Sequence, residues 1–199
     1  FESPLGPMGA WFFENVNDTW VISVHGLRGH RSESMRILPT LIDLGFPTLA
    51  IDYRNDKGTA EDPSGYHQFG ITEWEDLESA ARYAIKHGAN DLVLYGYSMG
   101  GAIVSSFMTR SQLANHTAAL ILDSPMLDFE QTIDYGGKQR NLPGFITATA
   151  KWVAGWRFNI DWNEMDYLKE ASHISVPILV IHGEDDDLVS IITSKTFAA

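Results

Sequence analysis

The chain has 199 residues and is 44% hydrophobic, enough length and apolar content for one domain with a sizeable core. Its 14 Lys and Arg against 26 Asp and Glu give a formal net charge of −12, which argues against a nucleic-acid surface and against electrostatic docking on anionic lipid. The absence of cysteine excludes disulfides, cysteine zinc sites and a cysteine nucleophile.

No apolar run is long enough to span a bilayer and no signal peptide is visible, so any membrane contact is expected through a segment upstream of Phe1. Residues 1–17 carry Pro4, Gly6, Pro7 and Gly9 before Trp11-Phe12-Phe13 and read as a loop leading into a short strand. Trp20 to Val24 reads as a strand running into His25-Gly26-Leu27. From Arg31 to Leu44 the apolar residues recur at helical spacing, with Ser32 as the expected N-cap, Pro39 dividing the segment and Gly45 ending it.

Thr48 to Ile51 is the next expected strand, ending at Asp52-Tyr53-Arg54, and a polar loop follows over residues 55–70. Thr72 and Glu75 form a capping-box pattern that should open a helix reaching about His87. Asp91 to Tyr95 is a short apolar run that reads as a buried strand, and the apolar stretch Ala102 to Met108 reads as a helix. Between them stands Gly96-Tyr97-Ser98-Met99-Gly100-Gly101.

That G-x-S-x-G, set between strand and helix, is the context of a nucleophile elbow. A serine on so sharp a turn needs small residues on either side, and Gly96 and Gly100 supply them. The Ser98 hydroxyl would then stand at the carboxyl end of the sheet, with the Met99 amide at a helix start aimed at the same space. The competing reading is a glycine-rich turn with an idle serine.

Ala118 to Leu122 is a further strand, ending at Asp123-Ser124-Pro125. Residues 126–173 show no strand pattern but contain Trp152, Trp156 and Trp162, so this interval is either a lid or pocket segment or, at such aromatic spacing, more core. Ile178 to Ile181 is the last strand, running into His182-Gly183-Glu184-Asp185-Asp186-Asp187, and a helix begins at Ser190. Short apolar strands alternating with helices predict an α/β fold with a mostly parallel sheet covered on both faces, whose function gathers at the strands' carboxyl ends.

With these elements in order, the chain resembles the α/β hydrolases over almost its whole length. The residues that carry the likeness are His25-Gly26, Asp52-Tyr53-Arg54, the elbow, Asp123-Ser124-Pro125, and His182-Gly183 with Asp186 and Val189. Together they resemble the serine-aminopeptidase-like and acyl-peptidase-like branch. The resemblance implies a serine hydrolase acting on a carboxylic ester, amide or related acyl bond of a small molecule or peptide, with no metal or organic cofactor. It implies Ser98 as nucleophile, Asp186 as the acid and an oxyanion hole made of the Met99 and Leu27 amides.

The chain departs from that pattern in one respect. The family's histidine follows the acid, and none of the residues after Asp186 is histidine. The expectation is therefore a single domain, 1–199, lacking the last strand and helix, with the base beyond Ala199. Among the seven histidines, His25 and His182 occupy His-Gly turns that the family uses structurally, and His30 and His67 are the best placed of the others to act as base. The alternative is a non-catalytic binding or structural module on the same fold. A Rossmann-type nucleotide site is excluded because neither Val24 nor Tyr95 is followed by G-x-G-x-x-G.

Three further groups carry weaker readings. Asp123 is a turn cap before Ser124-Pro125 or an alternative acid. Arg54 pairs with a carboxylate near the site or serves a structural salt bridge. The run Glu184 to Asp187 lacks the spacing of a calcium loop and reads as a solvated acidic turn.

Overall fold

A computed structural model describes residues 1–199. The chain opens with a two-stranded hairpin, β1 (Glu2–Ser3) and β2 (Gly6–Pro7), and then enters a six-stranded sheet. The sheet contains β3 (Ala10–Phe13), β4 (Thr19–Val24), β5 (Thr48–Ile51), β6 (Asp91–Tyr97), β7 (Thr117–Asp123) and β8 (Ile178–Ile181), in the order β3-β5-β4-β6-β7-β8. Only β3 runs antiparallel to its neighbour; all other pairings are parallel.

The burial of each strand follows its position. β5 is buried throughout and β4 at every residue but its first, as expected of central strands covered on both faces. β8 lies at the sheet edge and alternates, leaving Leu179 and Ile181 about half exposed. β6 runs two residues beyond the apolar stretch because Gly96 and Tyr97 still pair with Leu122 and Asp123 of β7. That extension carries the chain straight into the elbow.

Helices α1 (Leu38–Asp43), α2 (Trp74–Lys86), α3 (Met99–Arg110), α4 (Phe129–Gln139), α5 (Gly144–Phe158) and α6 (Ile191–Phe197) complete the fold. α2 and α3 pack on the sheet through Leu77, Ala80, Ala84, Ile103 and Phe107, all fully buried in one cluster with Ile22, Leu49 and Leu94. The small residues Ala80, Ala81 and Ala84 let α2 lie close to the strands.

Two expected caps do not form. The segment after Arg31 is a 3-10 turn over Arg31–Arg36 followed by α1, and its cap is His30, whose Nδ1 accepts from the Ser32 amide at 3.3 Å. Pro39 sits in the first turn of α1, where its missing N–H costs nothing. At α2 the Thr72–Glu75 box is absent. Thr72 Oγ1 donates instead to Asp62 at 2.9 Å, and Glu75 accepts from Arg54 Nη2 at 2.8 Å. Charge-assisted bonds to a buried guanidinium outweigh a local cap.

Candidate active site

Ser98 joins β6 to α3 with φ 50° and ψ −116°, a conformation that costs a non-glycine residue about 1–3 kcal/mol. Three backbone bonds hold it there. Its amide donates to the Asp123 carbonyl at 3.0 Å, and its own carbonyl accepts from the Gly101 and Met126 amides at 2.9 Å each. The flanking glycines are required by close approach: a methyl on Gly96 would lie 2.6 Å from the Gly100 carbonyl, and one on Gly100 would strike the carbonyls of Val24 and His25. The sequence therefore produces a serine fixed by backbone, half-exposed, at the carboxyl end of a central strand.

The turn after β4 lies directly against it. A methyl on Gly26 would sit 3.1 Å from Ser98 Cβ. This turn is tied down by groups with little sequence signature. The Gly26 amide donates to Glu33 Oε2 at 3.0 Å, and the Tyr53 hydroxyl donates to the His25 and Gly26 carbonyls at 3.2 and 3.0 Å. Leu27 follows, 42% exposed, and its amide donates to no acceptor within the protein. Met99 opens α3 as its first residue, with its side chain buried beneath the turn.

His25 is wholly engaged. Its Nε2 lies 2.9 Å from Asp56 Oδ2 and its Nδ1 2.8 Å from the Gly26 carbonyl, while its ring stacks on Tyr53 at 4.4 Å. Both partners can only accept, so both ring nitrogens carry protons. Burial opposes that charge, but the Asp56 carboxylate and the Gly26 carbonyl outweigh it, and the His25 pKa is raised above 6.5. Asp52 lies nearby, yet a doubly protonated imidazole has no lone pair for a metal, and Asp52 is taken by the Arg31 guanidinium at 2.9 Å.

Asp186 occupies the turn after β8. Its Oδ1 accepts from the Leu188 and Val189 amides at 2.9 Å each, and Oδ2 lies 3.4 Å from His182 Nε2. Asp186 is half-buried while Asp185 and Asp187 are exposed, which separates it from the residues on either side. The Tyr135 hydroxyl of α4 donates to its carbonyl at 2.9 Å. His182 is held by Ser194 Oγ at 2.7 Å and the Val189 carbonyl at 3.0 Å, a structural role.

The remaining histidines are scattered. His30 caps the 3-10 turn, His87 bonds the Tyr83 carbonyl at 2.7 Å, His173 pairs with Glu170 at 3.0 Å, and His116 precedes β7 at the sheet's opposite end. His67 alone lies in a cleft. Its buried Nδ1 has no hydrogen-bond partner, and burial lowers its pKa despite the nearby Asp56 carboxylate.

That cleft holds about 340 Å³ and is predominantly apolar, lined by Leu27, His67, Phe69, Phe129, Phe158 and Trp162 among others. One wall comes from residues 66–69 and the other from within 126–173. Buried Glu73 orders the first wall by accepting from the Gln68 and Gly70 amides at 2.6 and 2.8 Å. Arg54 anchors the same loop, binding Asp62 at 3.3 Å, Glu75 at 2.8 Å and Asp76 at 2.8 Å, so its role is structural. Asp123 accepts from the Tyr95 hydroxyl at 2.8 Å and caps no turn at Ser124-Pro125. Of the three tryptophans in 126–173, Trp162 faces the cleft; Trp152 and Trp156 are 72% and 78% exposed, so neither is core.

The parallel sheet with its strand–serine–helix elbow defines an α/β hydrolase. The chain belongs to the serine aminopeptidase S33 family, whose signature matches residues 16–161. Its fold is that of an esterase from Pyrococcus furiosus, Pf2001, with a TM-score of 0.73 over 98% of this chain and 74% of that one at 22% identity. The esterase Est1E of Butyrivibrio proteoclasticus, solved with ferulic acid, gives 0.68 over 96% and 80% at 19% identity. In sequence, the chain is 26% identical over 190 residues to the lysophosphatidylserine lipase ABHD12 of Mus musculus, covering 87% of this chain and 43% of that protein. It is 24% identical over 203 residues to human Protein ABHD12B, covering 94% and 52%. The chain thus spans about half the length of these curated relatives.

Proposed function

We propose that the protein is a serine esterase or lipase that works through an acyl-enzyme. The observation that carries this reading is the strained serine at φ 50°, held by three backbone bonds with Gly26 packed on its Cβ. A strained residue that its surroundings over-determine is the mark of a site under functional constraint. Ser98 Oγ attacks the acyl carbon as an imidazole takes its proton. The Met99 and Leu27 amides stabilise the oxyanion, and the leaving group departs with the proton; water then releases the acid by the reverse relay. Asp186 orients the imidazole. The apolar, aromatic cleft favours an acyl chain over a charged peptide, and the similarity to lysophosphatidylserine lipases points the same way.

The imidazole is assigned to a residue outside these 199, because His25 and His182 have both nitrogens engaged and His30, His87, His116 and His173 lie in caps, ends or exposed pairs. His67 is the competing candidate, since it lines the cleft with a lowered pKa and a buried Nδ1 that makes no hydrogen bond and lies 3.8 Å from the Glu73 carboxylate. A fluorophosphonate probe separates these. Labelling of this chain that is lost in both Ser98→Ala and His67→Ala assigns the base to His67. Labelling only of a longer form, lost in Ser98→Ala, supports the external histidine. No labelling of either would leave the non-catalytic binding module as the reading.

A further inference from the structure

The peptide group that joins Gly26 to Leu27 is crowded with hydrogen bonds at one end and has none at the other. The Gly26 carbonyl has two lone pairs but faces three donors: His25 Nδ1 at 2.8 Å, the Tyr53 hydroxyl at 3.0 Å and the Gly29 amide at 3.0 Å. The N–H of the same group, that of Leu27, donates to nothing within the protein. A trans peptide is planar, with its C=O and N–H pointing in opposite directions, so donors gathered on the carbonyl fix where the N–H is aimed. Hydrogen bonds in a chain polarise one another, so donation to this carbonyl also strengthens the Leu27 N–H as a donor.

The His25 donor exists because of Asp56. His25 is 2% exposed, and burial by itself strips an imidazole of its second proton. Asp56 Oδ2, 2.9 Å from Nε2, reverses that and lifts the His25 pKa. The Tyr53 amide holds the carboxylate in place, donating to the same oxygen at 2.8 Å. The other titratable groups around His25 are engaged elsewhere or neutral. Glu33 accepts from the Gly26 amide, Asp52 pairs with Arg31, Tyr53 stacks on the ring, and His67 in the cleft wall has a lowered pKa. Imidazolium and carboxylate nearly cancel at a distance, so their influence passes through the Gly26 carbonyl and not as a free charge.

We propose that Asp56, His25 and Tyr53 are positioning residues for the oxyanion hole, aiming the Leu27 amide at the space beside Ser98 and strengthening it as a donor. When His25 loses a proton it keeps the one on Nε2, because the bond to a carboxylate is the stronger of its two. Nδ1 then presents a lone pair to the Gly26 carbonyl, that bond is lost, and the peptide is free to tilt. The catalytic role rests on the reading of Ser98 as nucleophile with Leu27 as oxyanion donor; the response of the peptide group to His25 does not.

Two measurements across pH test this. Amide NMR of the Ser98→Ala protein follows Leu27 where no chemistry intervenes, and fluorophosphonate labelling is timed in whichever form of the protein reacts. The Leu27 amide proton should move upfield with the same midpoint as the His25 ring, and in Asp56→Asn both midpoints should fall together. Between the two midpoints the wild type should label roughly fivefold faster than Asp56→Asn, less than the hundredfold or more that removing an oxyanion donor costs, because the donor is weakened and not lost. Below both midpoints the rates should converge. A merely structural role would slow labelling by one factor at every pH, and that result overturns the proposal. So does a Leu27 resonance that ignores His25. If Asp56→Asn does not fold by circular dichroism, Tyr53→Phe decides. It removes one donor and keeps the ring, so Leu27 should move upfield at every pH and labelling should fall roughly threefold; no change in either overturns the proposal. If no form labels, the serine reading fails and the catalytic role falls with it, whereas labelling with an unresponsive Leu27 amide sinks the positioning role alone.

Discussion

Gly26 and Ser98 lie in close approach across the carboxyl ends of β4 and β6: a Cβ on Gly26 would lie 3.1 Å from Ser98 Cβ and 3.3 Å from the Tyr97 ring. Gly26→Ala must therefore displace something by a few tenths of an ångström. Ser98 is bound by its backbone on both sides, so the displacement falls on the geometry between the serine and the Leu27 amide. Labelling of Ser98 by a fluorophosphonate should slow by about tenfold or more, since small misplacements at reacting atoms are costly. The urea midpoint should move by the equivalent of about 1 kcal/mol or less. An unchanged labelling rate would show that the contact is slack.

Replacing the serine itself should separate strain from stability. At φ 50° and ψ −116° a glycine is at ease where serine is not. Ser98→Gly is expected to raise unfolding stability by about 1 kcal/mol while abolishing labelling. Ser98→Ala, which keeps the Cβ in the same strained backbone, should abolish labelling without that gain. Equal stabilities for the two variants would mean that the turn is not strained.

Arg54 is buried and binds three carboxylates, two of them on α2 and one in the loop. Asp76 is fully buried, so Arg54→Leu leaves its charge uncompensated and should cost about 3–5 kcal/mol by urea unfolding. Arg54→Lys should recover only part of this, because an ammonium cannot reach three acceptors in the guanidinium's fork. Removing Asp76 together with Arg54 should be milder than removing Arg54 alone.

His25 should give stability a pH dependence of definite sign. Its folded pKa lies above 6.5, so the protonated ring contributes stability that is fully present below pH 6.5 and lost as pH rises through the raised value. The unfolding free energy of wild type minus that of His25→Gln is therefore expected to shrink from mildly acidic to alkaline pH. NMR titration should show His25 titrating above 6.5 and His67 below it. A difference that grows with pH would contradict the assignment of both nitrogens as donors.

The elbow was readable from the chain because its requirements are local. A strand, two glycines around a serine and a helix are all encoded within residues 91–110, and the backbone geometry at Ser98 follows from them. The strand at Thr48–Ile51 and that at Ile178–Ile181 were likewise legible to the residue, from apolar runs bounded by polar turns. Capping was not. Thr72 and Glu75 have the right spacing for a box, but the buried Arg54 and its carboxylates draw both side chains away, and nothing near Thr72 in sequence announces that competition.

By itself, then, the sequence determined the order of the six sheet strands, the mostly parallel sheet and the place of the serine, but not the β1–β2 hairpin or the helices α4 and α5, because hydrophobic period and turn chemistry act between residues close along the chain. Tertiary structure decided the rest. It placed Glu33 and Tyr53 on the His25-Gly26 turn, gave Asp56 to His25, and set Glu73 beneath the loop that walls the cleft. It also left Trp152 and Trp156 outside the core that their spacing suggested. Periodicity fixes which side of a helix is apolar, but only the packing of distant segments decides whether anything covers that side.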